Sequence, residues 1–246
     1  MKVEICIDSL ASARVCLEAK EHVDRVELCA ALDVGGVTPS AALVRAVVAL
    51  LQPAGVAVHV LVRHRGGDFC AESAAEVDML VDEVRMAAEA GASAVVGGLL
   101  AAGGAIDTAA TARLVRVAHD HGLSFTFHRA VDCLVDTVAA VETLVELGVD
   151  AVLTSGGAAT AEAGVETLRR IVEQARGRLQ VIAGSGVSAS NAQRIVAATG
   201  VDVLHGTARG PPCAVPWRGD ALGFGQRPRT ASAHEIKAIK AAVCTT

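Results

Sequence analysis

The stretch GVDAVLT at 148–154 decides the fold, because two similar phrases, GASAVVG at 91–97 and GVDVLHG at 200–206, occur elsewhere in the chain. In each phrase a Gly that suits the end of a helix passes directly into an apolar run that suits a strand. The recurrence predicts a repeated unit of strand and helix. Such units are typical of parallel sheets built from right-handed βαβ connections.

The same alternation extends along the whole chain. Apolar runs predict strands at 3–7, 24–29, 56–63, 93–97, 123–128, 150–154, 179–183 and 201–205. The intervening patterns predict helices at 9–20, 40–51, 73–90, 107–120, 136–147, 161–175, 188–198 and 234–243. Eight units predict a single (β/α)8 TIM barrel of the α/β class over 1–246, since such a barrel needs about 250 residues. An open doubly wound sheet is the alternative, but no G-x-G-x-x-G follows the first strand.

Composition agrees with a buried parallel barrel and argues against several classes of function. Hydrophobic residues make up 52% and aromatic residues 2%, so the core must be built from aliphatic side chains. The net charge of −5, with no basic block, argues against a nucleic-acid partner. No signal-peptide pattern and no apolar stretch of about 20 residues is found, so we expect a cytoplasmic protein without a membrane partner.

The cysteines indicate free thiols. There are seven of them, an odd number, in a chain too large to need a disulfide framework. The absence of a C-x-x-C pair argues against a structural zinc site.

Two strands carry the same polar pattern. Glu4 and Cys6 lie two residues apart on the first strand, as Glu27 and Cys29 do on the second, so each pair shares one face. We expect the carboxylates and thiols to stand side by side inside the barrel, with the thiols nearer the carboxyl ends. Buried carboxylates require partners, and Arg63 is the nearest candidate. A structural ion network and a functional site both remain open.

Loops at the carboxyl ends of the strands add groups suited to an anion. Arg63 and Arg65 lie beside a Gly-Gly turn after the third strand. Gly184, Ser185 and Gly186 follow the seventh strand and His205 ends the eighth, where TIM barrels commonly bind phosphate. These six residues are the predicted anion-binding set. A simple strand-to-helix turn is the alternative for the Gly184–Gly186 segment.

A histidine at the end of the fifth strand suggests a catalytic alternative. His128 could pair with Asp132 as an acid and its orienting group. In an enzyme, Glu4 or Glu27 would then serve as the general base and His128 as the acid. A structural role for His128 is equally open.

One segment departs from the repeat. Residues 206–233 carry four of the six prolines, five glycines and the single Trp, Trp217. A long irregular loop after the eighth strand can be a lid, an arm that contacts a second subunit, or a surface loop.

Five blocks of sequence resemble the signature blocks of the CutC family. They are RVELCAALDVGGVTPS (25–40), RHRGGDFC (63–70), TFHRAVDC (126–133), VLTSGG (152–157) and AGSGV (183–187). They occur in the family's order and extend over about residues 1–210. Residue 64 is His where the family usually has Pro, and the chain after Thr207 matches poorly.

The resemblance implies a (β/α)8 barrel, a cytoplasmic homo-oligomer (a dimer) and a role in copper homeostasis with Cu(I) as the bound ion. Cu(I) prefers soft thiolates, and Cys6 with Cys29 would supply two of them. The alternative is an enzyme that acts on a small anionic or phosphorylated substrate at the barrel mouth. No amphipathic or aromatic patch indicates a third class, a partner-binding protein.

Overall fold

The computed structural model describes residues 1–212, 215, 217–222 and 229–244. Its strands are β1 (Lys2–Ile7), β2 (Arg25–Leu28), β3 (Ala57–Leu61), β4 (Ala94–Gly97), β5 (Ser124–Phe127), β6 (Ala151–Thr154), β7 (Gln180–Ala183) and β8 (Val203–Gly206). They pair in parallel and in chain order, and β8 closes onto β1. The predicted TIM barrel is confirmed.

Helices pack around the barrel. They are α1 (Leu10–Glu18), α2 (Ala41–Leu51), α3 (Ala74–Glu89), α4 (Thr108–Asp120), α5 (Ala140–Glu146), α6 (Val165–Ala175), α7 (Ala192–Thr199), α8 (Arg218–Ala221) and α9 (Ala233–Val243). Side chains at the N-caps fix where five of the described helices begin, since each accepts a hydrogen bond from the first turn and satisfies an unpaired N–H. These caps are Ser9, Ser40, Ser73, Asp107 and Ser232.

Three helices, α5, α6 and α7, begin four residues later than the sequence predicts. Before α5, the Asp136 carboxylate accepts from the backbone N–H groups of Val138 and Ala139 and closes a turn. Gly164 lies so close to the carbonyl of Ser155 that a Cβ there would clash with it, so the chain before α6 folds back as a loop. Before α7, the side chain of Asn191 accepts from the backbone N–H of Ser188 and closes a turn. Ser188 therefore lies in that turn, and the predicted start of the helix at 188 is wrong.

The core forms two layers separated by the barrel wall. Outward-facing strand residues such as Ile5, Val26 and Val58 are fully buried against the helices. Each such aliphatic side chain contributes about 1.5–3 kcal/mol when removed from water. Inside the barrel, an apolar cluster from β6, β7 and β8 comprises Ala151, Leu153, Ile182 and Val203. A second buried cluster comprises Cys6, Cys29, Leu61 and Val96. The buried polar side chains of Glu4, Arg25, Glu27 and His59 also belong to these strands.

The irregular segment predicted at 206–233 lies partly outside the described residues. Its described part contains the short helix α8 and an isolated bridge between Arg209 and Ala231. Trp217 is exposed. Within the part of the chain that the structure describes, no helix is long and apolar enough to cross a membrane.

Candidate functional site

A buried ion pair joins the first two strands near their amino ends. Glu4 is the register partner of Arg25, whose Nε donates to the Glu4 carboxylate at 2.5 Å. A second nitrogen of Arg25 donates to the side-chain oxygen of Gln180 on β7 at 2.8 Å. The prediction that Arg63 neutralises these carboxylates is therefore wrong. Arg25 occupies the same strand parity as Glu27, so the alternation in β2 could have identified it.

His205 connects this ion pair to the barrel mouth. Its Nδ1 lies 2.6 Å from a Glu4 oxygen and 3.4 Å from a Glu27 oxygen. Burial alone would lower the pKa of His205, but hydrogen bonds to Cys6 and Glu4 and the charge of Glu27 raise it well above its usual range. The ring is therefore held as a cation. Burial would raise the pKa of Glu4, yet His205 and Arg25 hold it well below the ordinary value.

Glu27 differs from Glu4 although both side chains are buried. Burial raises the pKa of Glu27 to about 7, because His205 and Arg25 offset the loss of water only partly and the charge of Glu4 opposes ionisation. A carboxyl group with a pKa near neutrality can exchange a proton at physiological pH. Glu27 also lines the mouth cavity described below.

The two predicted thiols meet at the next level of the barrel. The sulfur atoms of Cys6 and Cys29 are 3.8 Å apart, and Cys29 Sγ lies 3.4 Å from the carbonyl oxygen of Ile7. Cys6, Glu27 and His205 each offer one ligand atom, and these three atoms lie within 4.8 Å of one another. The contact with Cys29 and burial together raise the pKa of Cys6 well above its usual range, so Cys6 is protonated when no ligand is bound.

The spacing of the sulfurs fits one shared metal ion. In such a site each sulfur lies about 2.3 Å from the ion. A sulfur–metal–sulfur angle between the tetrahedral and trigonal values then places the two sulfurs about 3.8–4.0 Å apart. Because Glu4 contacts Nδ1 of His205, Nε2 is the nitrogen left for a metal, in the carboxylate–histidine arrangement common at metal sites. Cys6 therefore belongs to two groupings, the sulfur pair with Cys29 and the three-donor group with Glu27 and His205. Its sulfur suits a soft ion in either grouping, whereas Glu27 is a harder ligand.

The register keeps the thiols from forming a disulfide. Cys6 pairs with Glu27, and Cys29 lies one residue beyond the last paired position, Leu28. An offset of two residues along neighbouring strands separates the Cα atoms by about 8 Å, whereas disulfides need about 4.4–6.8 Å. The sequence predicted that the two thiols would be close, but not this offset.

A cavity of about 470 Å³ opens above the thiols at the carboxyl ends of the strands. We call it the mouth cavity. It is lined by Cys6, Glu27, Cys29, Leu32, Val34, Gly35, Leu61, Arg63, Phe69, His128, Arg129, Leu153, Ser185, Gly186, Val187, His205, Gly206 and Thr207. Its position is the one in which TIM barrels place their sites.

The two predicted arginines take different positions. Arg63 lines the mouth cavity, and its guanidinium donates to the carbonyls of Val34, Gly36 and Gly67. Arg65 does not line this cavity. It turns toward Asp68 and neighbouring groups of its own loop, with one nitrogen 2.8 Å from the Asp68 carboxylate.

His128 and Asp132 do not pair. Nδ1 of His128 accepts from the backbone N–H of Ala130 at 3.3 Å, whereas Asp132 binds Arg129 and the Ser155 region. The predicted acid-and-orienter pair is therefore wrong. Burial, aided by the charge of Arg63, lowers the pKa of His128 to about 3, so its ring is neutral at pH 7.

The loop after β7 reaches the cavity through two of its three predicted residues. Ser185 and Gly186 line it, both with a positive φ, +80° and +70°. Gly184 lies just beneath, where a Cβ would meet Leu153 and His205. Sequence reasoning missed Phe69 and Gln180 as neighbours of the site. Phe69 could have been identified, because it lies just after the Gly-Gly turn that follows the third strand. No local pattern distinguishes Gln180.

Comparisons with known proteins agree with this architecture. The sequence model of the CutC family matches residues 1–210. A CutC family protein of Glaesserella parasuis is 41% identical over 210 residues, which cover 85% of this chain and 83% of that protein. One from Bacteroides fragilis is 40% identical over 210 residues, 84% of this chain and 79% of the relative.

Solved structures give the same result. One from Streptococcus agalactiae, described as a copper homeostasis protein CutC, has a TM-score of 0.79 and 32% identity, and the match covers 84% of this chain and 98% of that one. The 3-hexulose-6-phosphate synthase of Salmonella typhimurium has a TM-score of 0.60 at 19% identity, with 99% of both chains covered. At that identity the likeness shows the shared fold alone.

Proposed function

Because this chain belongs to the CutC family, we propose that it takes part in copper homeostasis by binding Cu(I) between Cys6 and Cys29. The observation that carries the proposal is the 3.8 Å separation of the two sulfurs at the floor of the mouth cavity. Two thiolates and an imidazole suit Cu(I), which prefers soft ligands at low coordination number. The Streptococcus agalactiae relative is described as a copper homeostasis protein.

Cys6 and Cys29, the predicted ligands, and His205, which was predicted to bind an anion, have distinct roles in this proposal. Cys6 and Cys29 supply the sulfurs, and His205 supplies Nε2 while Glu4 holds its other nitrogen. Binding requires the thiols and the His205 imidazolium each to lose a proton, so copper uptake releases protons. Glu27, with a pKa of about 7, lies beside them and can take up such a proton.

A reducing compartment is part of the proposal. Cu(I) and free thiols both persist in the cytoplasm, which is where we place the protein. The homodimer that the family resemblance implies also remains part of the proposal. Light scattering on the purified chain tests it, since a mass near 25 kDa would contradict a dimer.

Catalysis on a small anion gains less support from the geometry. Of the three predicted catalytic groups, Glu4 is ion-paired with Arg25 and does not line the mouth cavity. His128 is neutral at pH 7 because its pKa is about 3, so it cannot deliver a proton from an imidazolium. Glu27 alone combines access to the cavity with a suitable pKa.

Copper tolerance of living cells tests the proposed function. In a strain that lacks this gene, we expect the wild-type chain to restore growth in added copper and the Cys6→Ser/Cys29→Ser variant to fail. Cys133→Ser is the matched control, since Cys133 is an exposed thiol outside the mouth cavity. Full restoration by the double variant, at equal protein levels, would contradict the proposal.

Zinc is the competing ion that must be excluded, because it accepts the carboxylate of Glu27 as readily as sulfur and nitrogen ligands. A site of two sulfurs, one imidazole and one carboxylate also meets the needs of Zn(II). Competition between Cu(I) and Zn(II) for the purified reduced chain distinguishes the two. We expect Cu(I) to displace Zn(II) at equal concentration, and retention of zinc would argue for a zinc protein.

A further inference from the structure

The upper wall of the mouth cavity contains hydrogen-bond donors that lack acceptors. His128 is the clearest. Its Nδ1 accepts from Ala130, so in the neutral ring Nε2 carries the hydrogen. That Nε2–H has no partner among the described residues, and the side chain is 5% exposed. A buried donor without an acceptor is costly, which indicates that a ligand atom completes it.

Arg63 presents a second such group and an uncompensated charge. Its three hydrogen bonds all go to neutral backbone carbonyls, and its Nε–H has no acceptor within the described chain. Among the described residues no carboxylate lies within ion-pairing distance of it, and the residue is 8% exposed. Its guanidinium lies 4.7 Å from the centre of the Phe69 ring, which in turn packs edge-on against His128.

The loop after β7 supplies three more donors. The backbone N–H groups of Ser185, Gly186 and Val187 have no acceptor in the described residues, and all three residues line the cavity. Successive amides in a turn of positive φ form a concave site for an anion.

The charges at the floor of the cavity nearly cancel one another. The positive charge of Arg63 is therefore the one that remains without a counter-charge. Arg25 and His205 carry positive charge against Glu4 and the partly ionised Glu27. Arg129, also at the cavity, is neutralised by Asp132. The cavity is therefore net positive at its upper wall.

From these groups we infer that the mouth cavity binds a small organic anion, whose phosphate or carboxylate group is received by Arg63, His128 and the Ser185–Val187 amides. A volume of about 470 Å³ is far larger than a metal ion needs and lies within the range of small-molecule sites. Phe69 contacts both side chains, and their unpaired nitrogens are buried beside it. The inference holds whether or not copper binds below.

Calorimetry with three probes on the full chain tests this site: ribose 5-phosphate, gluconate and, as the uncharged counterpart, ribose. We expect at least one of the two anions to bind with a dissociation constant below about 1 mM and ribose to be at least tenfold weaker. Inorganic phosphate, as a fourth probe, separates recognition of the anionic group from recognition of the sugar.

Variants locate the binding within the cavity. Arg63→Met should weaken anion binding at least about tenfold, and Arg65→Met, in the same loop but outside the cavity, should leave it unchanged. His128→Asn keeps an acceptor for the Ala130 N–H and removes the Nε2 donor, so it tests the site without breaking that turn.

Failure of this inference is distinguishable from failure of the copper proposal. Cys6→Ser/Cys29→Ser should retain anion binding, and His128→Asn should retain Cu(I) binding. The inference is overturned if neither ribose 5-phosphate nor gluconate binds with a dissociation constant below about 1 mM, or if Arg63→Met and His128→Asn both bind them as wild type does.

Discussion

Cys6 and Cys29 bring their sulfurs to 3.8 Å although they are not register partners, because Cys6 pairs with Glu27. The side chains lean toward each other across a diagonal of the barrel. This diagonal is close enough for a shared ion and too long, at the backbone, for a disulfide.

Resistance to oxidation follows from that diagonal. When the folded chain is treated with diamide, we expect Cys6 and Cys29 to remain unlinked, because their Cα atoms lie about 8 Å apart. Mass spectrometry of peptides after alkylation measures this. The same treatment in urea removes the restraint and should give the cross-link. A Cys6–Cys29 disulfide formed in the native protein would contradict the register.

The ion pair beneath the thiols should be important for stability. Arg25→Met leaves the buried Glu4 carboxylate with His205 and with His59, whose pKa is lowered to about 4, so we expect the free energy of unfolding to fall by about 3 kcal/mol. Urea denaturation measures the loss. Arg169→Met, which breaks an ion pair on the surface, is the control and should change stability little. Equal effects of the two variants would show that the Glu4 charge is compensated in another way.

Stability should fall in mild acid partly because of His128. Its pKa is lowered from the usual 6.5 to about 3, so between these values the unfolded chain binds a proton that the folded chain does not. The folded state therefore loses up to about 1.4 kcal/mol per pH unit as the pH falls from 6.5 toward 3. Above pH 6.5 the contribution of His128 is constant.

The variant His128→Asn isolates this contribution. Urea unfolding at several pH values between 7.5 and 4.5 should show a shallower decline for the variant than for wild type. In both proteins His59, whose pKa burial lowers to about 4, adds to the decline, and Glu27, whose pKa is raised to about 7, opposes it, so the difference between the two slopes reports His128. Identical slopes for the two proteins would mean that His128 is protonated in the folded state.

Features set by local sequence were predictable, and those set by barrel register were not. The eight units and the caps Ser9, Ser40, Ser73 and Asp107 follow from periodicity and from side chains within one turn. Strand alternation also correctly predicted that the two thiols would be close inside the barrel.

Partners across the barrel required the three-dimensional structure. The link from Arg25 to Gln180 joins residues 155 positions apart, and no local pattern specifies it. The direction of Arg65 depends on how its loop folds toward Asp68. Asp132 lies in the short helical turn after β5, Arg129–Cys133, and its carboxylate accepts hydrogen bonds from Arg129 and Ser155 and none from His128.

The most direct test of the central claim is an anaerobic titration of the reduced chain with Cu(I) against a competing chelator, beside Cys6→Ser/Cys29→Ser. We predict that wild type withholds about one ion per chain and that the double variant does not, because the paired sulfurs are the preferred ligands of Cu(I). If the double variant competes as well as wild type, or if neither competes, the thiol pair is not a copper site.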